Sequence, residues 1–303
     1  MGRENELLKH IAARSADLSS VFPQVLVGPG DDCAVVQAGG ERLLLTVDQV
    51  VEGRHFTRDL GLDLIARKAV ARSISDIAAM GGRPMWGLAT GALPADFGEG
   101  DALFDAMARW AKHWGAPLIG GDISTTDGPL LLTVTVVGSA DASRGPVLRS
   151  GARVGDGVYV SGRLGGSLAS GRHATFEPRI AVGSALVAAL GANLTAMMDL
   201  SDGLGVDGMR LARASGVRLE IEAGALPVHE DVVACRGAAA WKHALGDGED
   251  YELLFTARGD VPTVAAGVQV TRIGQVVAGE GCVVRLDGAW VDASGLGWEH
   301  GTV

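Results

Sequence analysis

The residues of this chain best suited to chemistry are acids in unusual places. Asp76 lies within residues 69–82, AVARSISDIAAMGG, where Ala69, Val70, Ala71, Ile74, Ile77, Ala78, Ala79 and Met80 cover nearly every face of a helix at 3.6-residue spacing. A helix apolar all round is a buried helix. A carboxylate inside it is costly unless hydrogen-bonded, ion-paired or bound to a metal. Ser73 and Ser75 flank Asp76, and for a lone acid such hydroxyls suffice. Asp76 is not alone. Asp31, Asp48, Asp122, Asp199, Asp202 and the pair Glu249-Asp250 fall at expected strand ends or beside glycines. Strand ends are where residues distant in the chain converge. Asp beside Gly is also ordinary turn chemistry, which accounts for Asp127, Asp156 and Asp287. It accounts less well for Asp48, Asp76 and Asp199, which interrupt apolar segments. Hard divalent cations take carboxylate oxygens, and Mg²⁺ usually combines one or two of them with substrate phosphates and water. The set points to phosphate chemistry supported by several Mg²⁺ ions.

Basic counterparts are few. Arg149, in LRSGAR, suits bidentate pairing with a phosphate, and His55, in the loop EGRHF, carries a ring that titrates near neutrality. Each has a bland alternative, a surface arginine and an ordinary loop histidine. The glycine-rich segment 162–171 offers backbone N–H groups to phosphates, although a strand-to-helix turn uses glycines anyway. No GxxxxGK[ST] occurs, and no glycine-rich loop is followed by the Lys and His-Arg-Asp elements of a protein kinase. A formal GxGxxG at Gly203, Gly205 and Gly208 follows a strand pattern, opens a helix pattern and precedes Glu222, the layout of a dinucleotide-binding unit. Asp199 and Asp202 there repel a pyrophosphate unless metal bridges them. A nicotinamide-dependent oxidoreductase therefore ranks below the metal–phosphate reading.

The elements that must position these residues alternate along the chain. Strands are expected over 43–51 (LLLTVDQVV), 84–93, 117–119 (ending in Gly120-Gly121-Asp122) and 130–138, with helices over 4–16 and 101–114. The apolar signal lapses over 141–146, a linker between domains 1–145 and 146–303. Beyond it, a helix over 179–190 and the strand–loop–helix–strand pattern of TAMMDLSDGLGVDGMRLARASGVRLEIE continue the alternation. The fold class is therefore α/β or two-domain α+β. A chain of 303 residues with 47% hydrophobic content can bury two cores, and its net charge of -10 argues against nucleic-acid and anionic-membrane partners. Three scattered cysteines without CxxC, and an N-terminus lacking an apolar leader, suit a soluble cytoplasmic protein. The uncharged run 180–198 is broken by Gly191-Ala192-Asn193 and reads as a buried helix, turn and strand rather than a membrane span.

The ordered series GPGDDCAVV, TVDQVVEGRHF, AVARSISDIAAMGG, GGDIS, RSGARVGDGVYVSGRLGGS, DLSDGL and GDGEDYELLF resembles the thiamine-monophosphate kinase family, across nearly the whole chain. This family sits in the wider aminoimidazole-ribonucleotide-synthetase-like superfamily. The resemblance implies an N-terminal mixed-sheet domain that dimerises and binds ATP, a C-terminal α/β domain that completes the site, and a homodimer formed through the N-terminal sheets. It implies ATP- and Mg²⁺-dependent phosphorylation of thiamine monophosphate to thiamine diphosphate by direct in-line transfer. Carried over by motif, Asp31, Thr46, Asp48, Asp76, Asp122, Asp199 and Asp202 would hold Mg²⁺. Gly121, Asp122, Arg149 and Ser201 would contact the nucleotide, and His55, Glu249 and Trp298 the thiamine phosphate. Asp76, Asp122 and Arg149 would carry catalysis. Val47 stands where many members have a second hydroxyl residue. Another ATP-dependent enzyme of the same superfamily is the alternative nearest to this reading.

Overall fold

Two sheets organise the computed structural model, which describes residues 7, 10, 11, 13–15, 17–234 and 239–297. Most of the expected 4–16 helix, and Trp298, lie outside the described residues. The first sheet contains β1 (Val25–Val27), β2 (Ala34–Ala38), β3 (Glu41–Val51), β4 (Arg83–Pro94), β5 (Leu118–Thr126) and β6 (Leu131–Ser139), in the order β1-β2-β3-β6-β4-β5. Gly39 and Gly40, both at positive φ, turn β2 into β3, as a tight hairpin requires. Side chains alternate between faces along β3, so Leu44, Thr46 and Val50 turn inward while Val47 stands 63% exposed. Helices α1 (Leu62–Ala79) and α2 (Gly100–His113) cover the inner face.

The second sheet contains β7 (Gly157–Ser161), β8 (Leu194–Asp199), β9 (Arg218–Glu222), β10 (Leu253–Ala257), β12 (Val268–Val277), β13 (Gly281–Leu286) and β14 (Ala289–Asp292), with the two-residue β11 (Val264–Ala265) paired to β12. Its order is β14-β13-β9-β12-β7-β10-β8. Helices α3 (Ile180–Leu190), α4 (Leu204–Ser215) and α5 (Ala240–Gly246) pack around it. The run 180–198 is helix, 3-10 turn and strand, and among the described residues no helix is long and apolar enough to cross a membrane.

Three readings of the sequence change here. Helix α1 begins at Leu62 and includes the buried Arg67 and Lys68, so it is not apolar on every side. Strand β5 does not stop at Gly120-Gly121-Asp122 but runs on to Thr126. Gly121 allows this: a Cβ there would lie 1.8 Å from the carbonyl oxygen of Ala89 on the neighbouring strand. The dinucleotide reading fails on topology. Strand β8 is an edge strand paired antiparallel to β10, and β9 lies far across the sheet, so no parallel β8–β9 unit exists. The glycines of GxGxxG serve packing instead. A Cβ on Gly205 would sit 2.3 Å from the carbonyls of Ala293 and Leu296, and one on Gly208 would sit 2.9 Å from Cys282 Sγ.

Two apolar cores follow the two sheets, and a third joins them. Ala79 from α1 and Val147 pack with Val182, Leu186, Met197 and Phe255. Helices α1 and α3 approach closely because Gly183 lacks a side chain, a Cβ there falling 2.5 Å from the carbonyl of Ala78.

Candidate active site

Helix α1 aligns Lys68, Arg72 and Asp76 at four-residue spacing, on one face. Asp76 meets the inner face of β3, where Thr46 Oγ1 donates a short hydrogen bond to its Oδ2. The loop before β2 supplies Asp31 and Asp32, and the last residue of β8 supplies Asp199. Asp32, Asp76 and Asp199 each bring one carboxylate oxygen within 4.8 Å of the other two. Ser75 Oγ donates to Asp199 Oδ2 at 2.6 Å.

This crowding changes proton affinity. Burial, then the charges of Asp48, Asp199 and Asp32, raise Asp76 far above the ordinary carboxylate range. Burial and Asp32 do the same to Asp199, and burial and Asp32 bring Asp31 to about 6. Arg149 answers part of the charge: its Nη2 lies 2.7 Å from Asp32 Oδ1 and its backbone N–H donates to Asp31 Oδ2 at 3.1 Å. Asp32 Oδ2 nevertheless stays buried without a hydrogen-bond partner, which folded proteins rarely tolerate. Converging hard oxygens, one of them orphaned, fit a divalent cation of the Mg²⁺ type.

Beside the acids opens a cavity of about 80 Å³. Arg54, Lys68 and Arg72 from the first half face Asp202, Asp247 and Glu249 from the second, with His55 and Ser201 on its wall. Lys68 Nζ is buried 2.8 Å from Glu249 Oε2, 2.8 Å from the carbonyl of His55 and 2.8 Å from His173 Nδ1. Burial lowers the proton affinity of Lys68, and burial together with the Lys68 charge lowers that of His173. His173 therefore accepts the hydrogen bond. His55 Nδ1 accepts from the backbone of Val51 at 2.9 Å, which orients its ring from the end of β3.

Glu249 is held by unusual backbone. It and Tyr251 adopt positive φ, 57° and 51°, a costly conformation for side-chain-bearing residues that clusters at functional sites. Their neighbours anchor the segment. Asp250 accepts from Gly165 N–H at 3.0 Å and pairs with Arg172, Glu252 accepts from Ser161 Oγ at 2.5 Å and pairs with Arg179, and the Tyr251 ring stacks on Phe176 at 3.9 Å. The loop carrying Ser201 and Asp202 is tied by Asp207, whose Oδ2 accepts from the N–H groups of Asp202 and Gly203. Arg210 pairs with both acids.

The structure thus gathers Asp31, Thr46, Asp48, Asp76, Arg149 and Asp199 at one cluster, and His55, Ser201, Asp202 and Glu249 at the adjoining cavity. It does not bring Gly121 and Asp122 to them within one chain. Asp48 pairs with Val134 and Ala89 in a row on the inner face, whereas Asp122 pairs with Thr90, Thr133 and Gln49 on the outer one. Three strand spacings, about 14 Å, separate β3 from β5. Gly121 and Asp122 line a different cavity, of about 430 Å³, walled by Leu103, Phe104 and Met107. Three contributors went unread in the sequence: Asp32 as a member of the acid cluster, and Lys68 and Arg72. The i, i+4, i+8 spacing of Lys68, Arg72 and Asp76 was the available signal.

A two-sheet frame with buried acids at the seam defines an AIR synthase-type protein, and residues 30–140 match the family described as AIR synthase related protein, N-terminal domain. The whole chain is 36% identical to the thiamine-monophosphate kinase of Rhodopirellula baltica, over 93% of this chain and 92% of that protein, and 36% identical to that of Mycobacterium tuberculosis H37Rv, over 89% and 85%. A solved structure described as AaThiL complexed with AMPPCP and TMP superposes with a TM-score of 0.79 at 33% identity, covering 94% of this chain and 95% of that one. The chain belongs to the thiamine-monophosphate kinase family.

Proposed function

We infer that this protein transfers the γ-phosphoryl group of ATP to thiamine monophosphate, giving thiamine diphosphate and ADP. The observation that carries the reading is the convergence of Asp32, Asp76 and Asp199 from distant parts of the chain, next to a cavity that presents Arg54, Lys68 and Arg72. Acids that hold Mg²⁺ and cations that receive an anionic substrate stand side by side, as transfer between two phosphates demands. Asp31, Asp32, Asp48, Asp76 and Asp199 would hold the metal, with Thr46 and Asp202 completing the set, and metal there would neutralise phosphate oxygens. Residues 1–145 supply most of this cluster, and residues 146–303 complete it and the substrate wall.

The terminal phosphate of thiamine monophosphate is ionised at neutral pH, so its oxygen needs no base. That oxygen forms a bond to the γ-phosphorus while the bond to the β,γ-bridging oxygen breaks, and ADP leaves with the electron pair. The protein's task is alignment and charge compensation. Arg149, Lys68 and the Glu249 loop supply orientation, and no phosphoenzyme forms.

Gly121 and Asp122 act from a second copy in this reading. The outer face of the first sheet exposes Val47 (63%) and Leu88 (42%), which share Thr135 as a neighbour, an apolar patch suited to pairing two sheets in a homodimer. Asp122 lies on that face. The test of the reaction is direct: thiamine diphosphate and ADP are measured with thiamine monophosphate or thiamine as acceptor, with Mg²⁺ and with chelator. Equimolar products only with the monophosphate and metal are expected. ATP turnover without thiamine diphosphate removes the reading.

A further inference from the structure

We propose that Arg72 is a catalytic residue that contacts the phosphoryl group in flight, an inference that rests on the reaction just described. Arg72 stands between the two halves of that chemistry. One guanidinium nitrogen, Nη2, lies 3.5 Å from Asp48 Oδ1 in the acid cluster, and the other, Nη1, lies 3.3 Å from Glu249 Oε1 on the substrate wall. Asp76 follows it by one helical turn. A phosphoryl group passing from a metal-held nucleotide to an acceptor in the cavity crosses this position.

The bonding of Arg72 is incomplete. Charge-assisted N–H···O contacts settle at about 2.7–2.9 Å, as Arg149 does with Asp32 at 2.7 Å, and both contacts of Arg72 are longer. Its Nε is buried with no hydrogen-bond partner, and the hydroxyl of Tyr251, whose ring lies 5.9 Å from the guanidinium carbon, is buried and unpartnered too. Arg72, which lines the cavity, thus keeps donor capacity that the folded chain does not use. Glu249 keeps a second cation without Arg72, since Lys68 Nζ lies 2.8 Å from its other oxygen. Asp48 would be drawn toward metal. Both present partners can therefore release the guanidinium without a buried charge being stranded. A planar donor fork then matches the equatorial oxygens of the transferring group, where charge spreads in the transition state.

The experiment compares wild type with Arg72→Gln and Arg72→Lys in steady-state kinetics and thermal-shift binding. Turnover is expected to fall about a hundred- to a thousandfold in Arg72→Gln, the loss found when one transition-state donor is removed, with both KM values little changed. Arg72→Lys keeps the buried charge and the fold but not the fork, and its turnover is expected to fall at least about tenfold. Stabilisation by ADP with fluoroaluminate and thiamine monophosphate, a mimic of the planar phosphoryl group, should vanish in both variants while stabilisation by ATP persists. Turnover in Arg72→Lys equal to wild type, or losses that follow raised KM values with the mimic still bound, overturns the proposal. A wild-type protein with no turnover on thiamine monophosphate overturns the underlying reaction, and this inference with it.

Discussion

Ser75 Oγ donates to Asp199 Oδ2 across 2.6 Å, joining residues 124 positions apart in the chain. The bond ties α1, in the first sheet's helix layer, to the last residue of β8 in the second sheet. Ser75→Ala leaves a buried carboxylate short of a donor and is expected to cost about 1–3 kcal/mol of stability. Denaturant unfolding of the metal-free protein measures it. Mg²⁺ affinity, read by titration, should weaken in the same variant, because Asp199 loses its fixed orientation.

Asp76→Asn separates function from folding. The amide keeps a partner for Thr46 but gives up the charge, so turnover should drop by about two to three orders of magnitude. Stability without metal should hold or rise, since the substitution removes one of several crowded acids. Near-normal turnover at saturating Mg²⁺ would refute the assigned role.

The acid cluster also sets a pH dependence. Asp31, Asp76 and Asp199 bind protons more tightly in the folded chain than ordinary carboxylates do. The native state therefore holds more protons than the unfolded one above about pH 4. Metal-free stability is expected to fall as pH rises from there through the Asp31 value of about 6. Mg²⁺ should flatten or reverse that slope by replacing protons with metal. Melting temperatures at pH 5 and pH 8, with chelator and with Mg²⁺, decide it. A metal-free protein that gains stability toward pH 8 contradicts the prediction.

Lys68→Met tests the substrate wall. The change removes the cation that links Glu249, the His55 carbonyl and His173. Breaking one side of a buried pair costs about 3–5 kcal/mol, softened here because Arg72 still faces Glu249. KM for thiamine monophosphate should rise at least about tenfold while KM for ATP changes little. Equal effects on both would place Lys68 outside the acceptor site.

Complementation tests the role of Asp122 across copies. When Asp76→Asn and Asp122→Asn proteins exchange subunits at random, half the dimers are mixed and each mixed dimer holds one intact shared site, so about a quarter of wild-type turnover returns. Action within one chain predicts no recovery.

The convergence of Asp48, Asp76 and Asp199 was legible because each interrupts an apolar segment, and burial makes such interruptions costly. The placement of Asp122 was not. Which face of a sheet a residue takes depends on parity and register, and the tripeptide Gly120-Gly121-Asp122 looks like a strand end although β5 continues through it. Lys68 and Arg72 escaped notice for a related reason. A helix rich in Ala, Val and Ile reads as uniformly apolar, and only the packed structure shows that its polar stripe faces a cavity. GxGxxG was misleading because its spacing satisfies helix packing against residues 293 and 296 as well as it would a nucleotide.

The close seat of Gly183 on the carbonyl of Ala78 has a consequence for motion. With an apolar core spanning both sheets at that point, the halves have no free hinge, and heating should melt them in a single calorimetric peak. A bulky side chain introduced at residue 183 should split that peak in two.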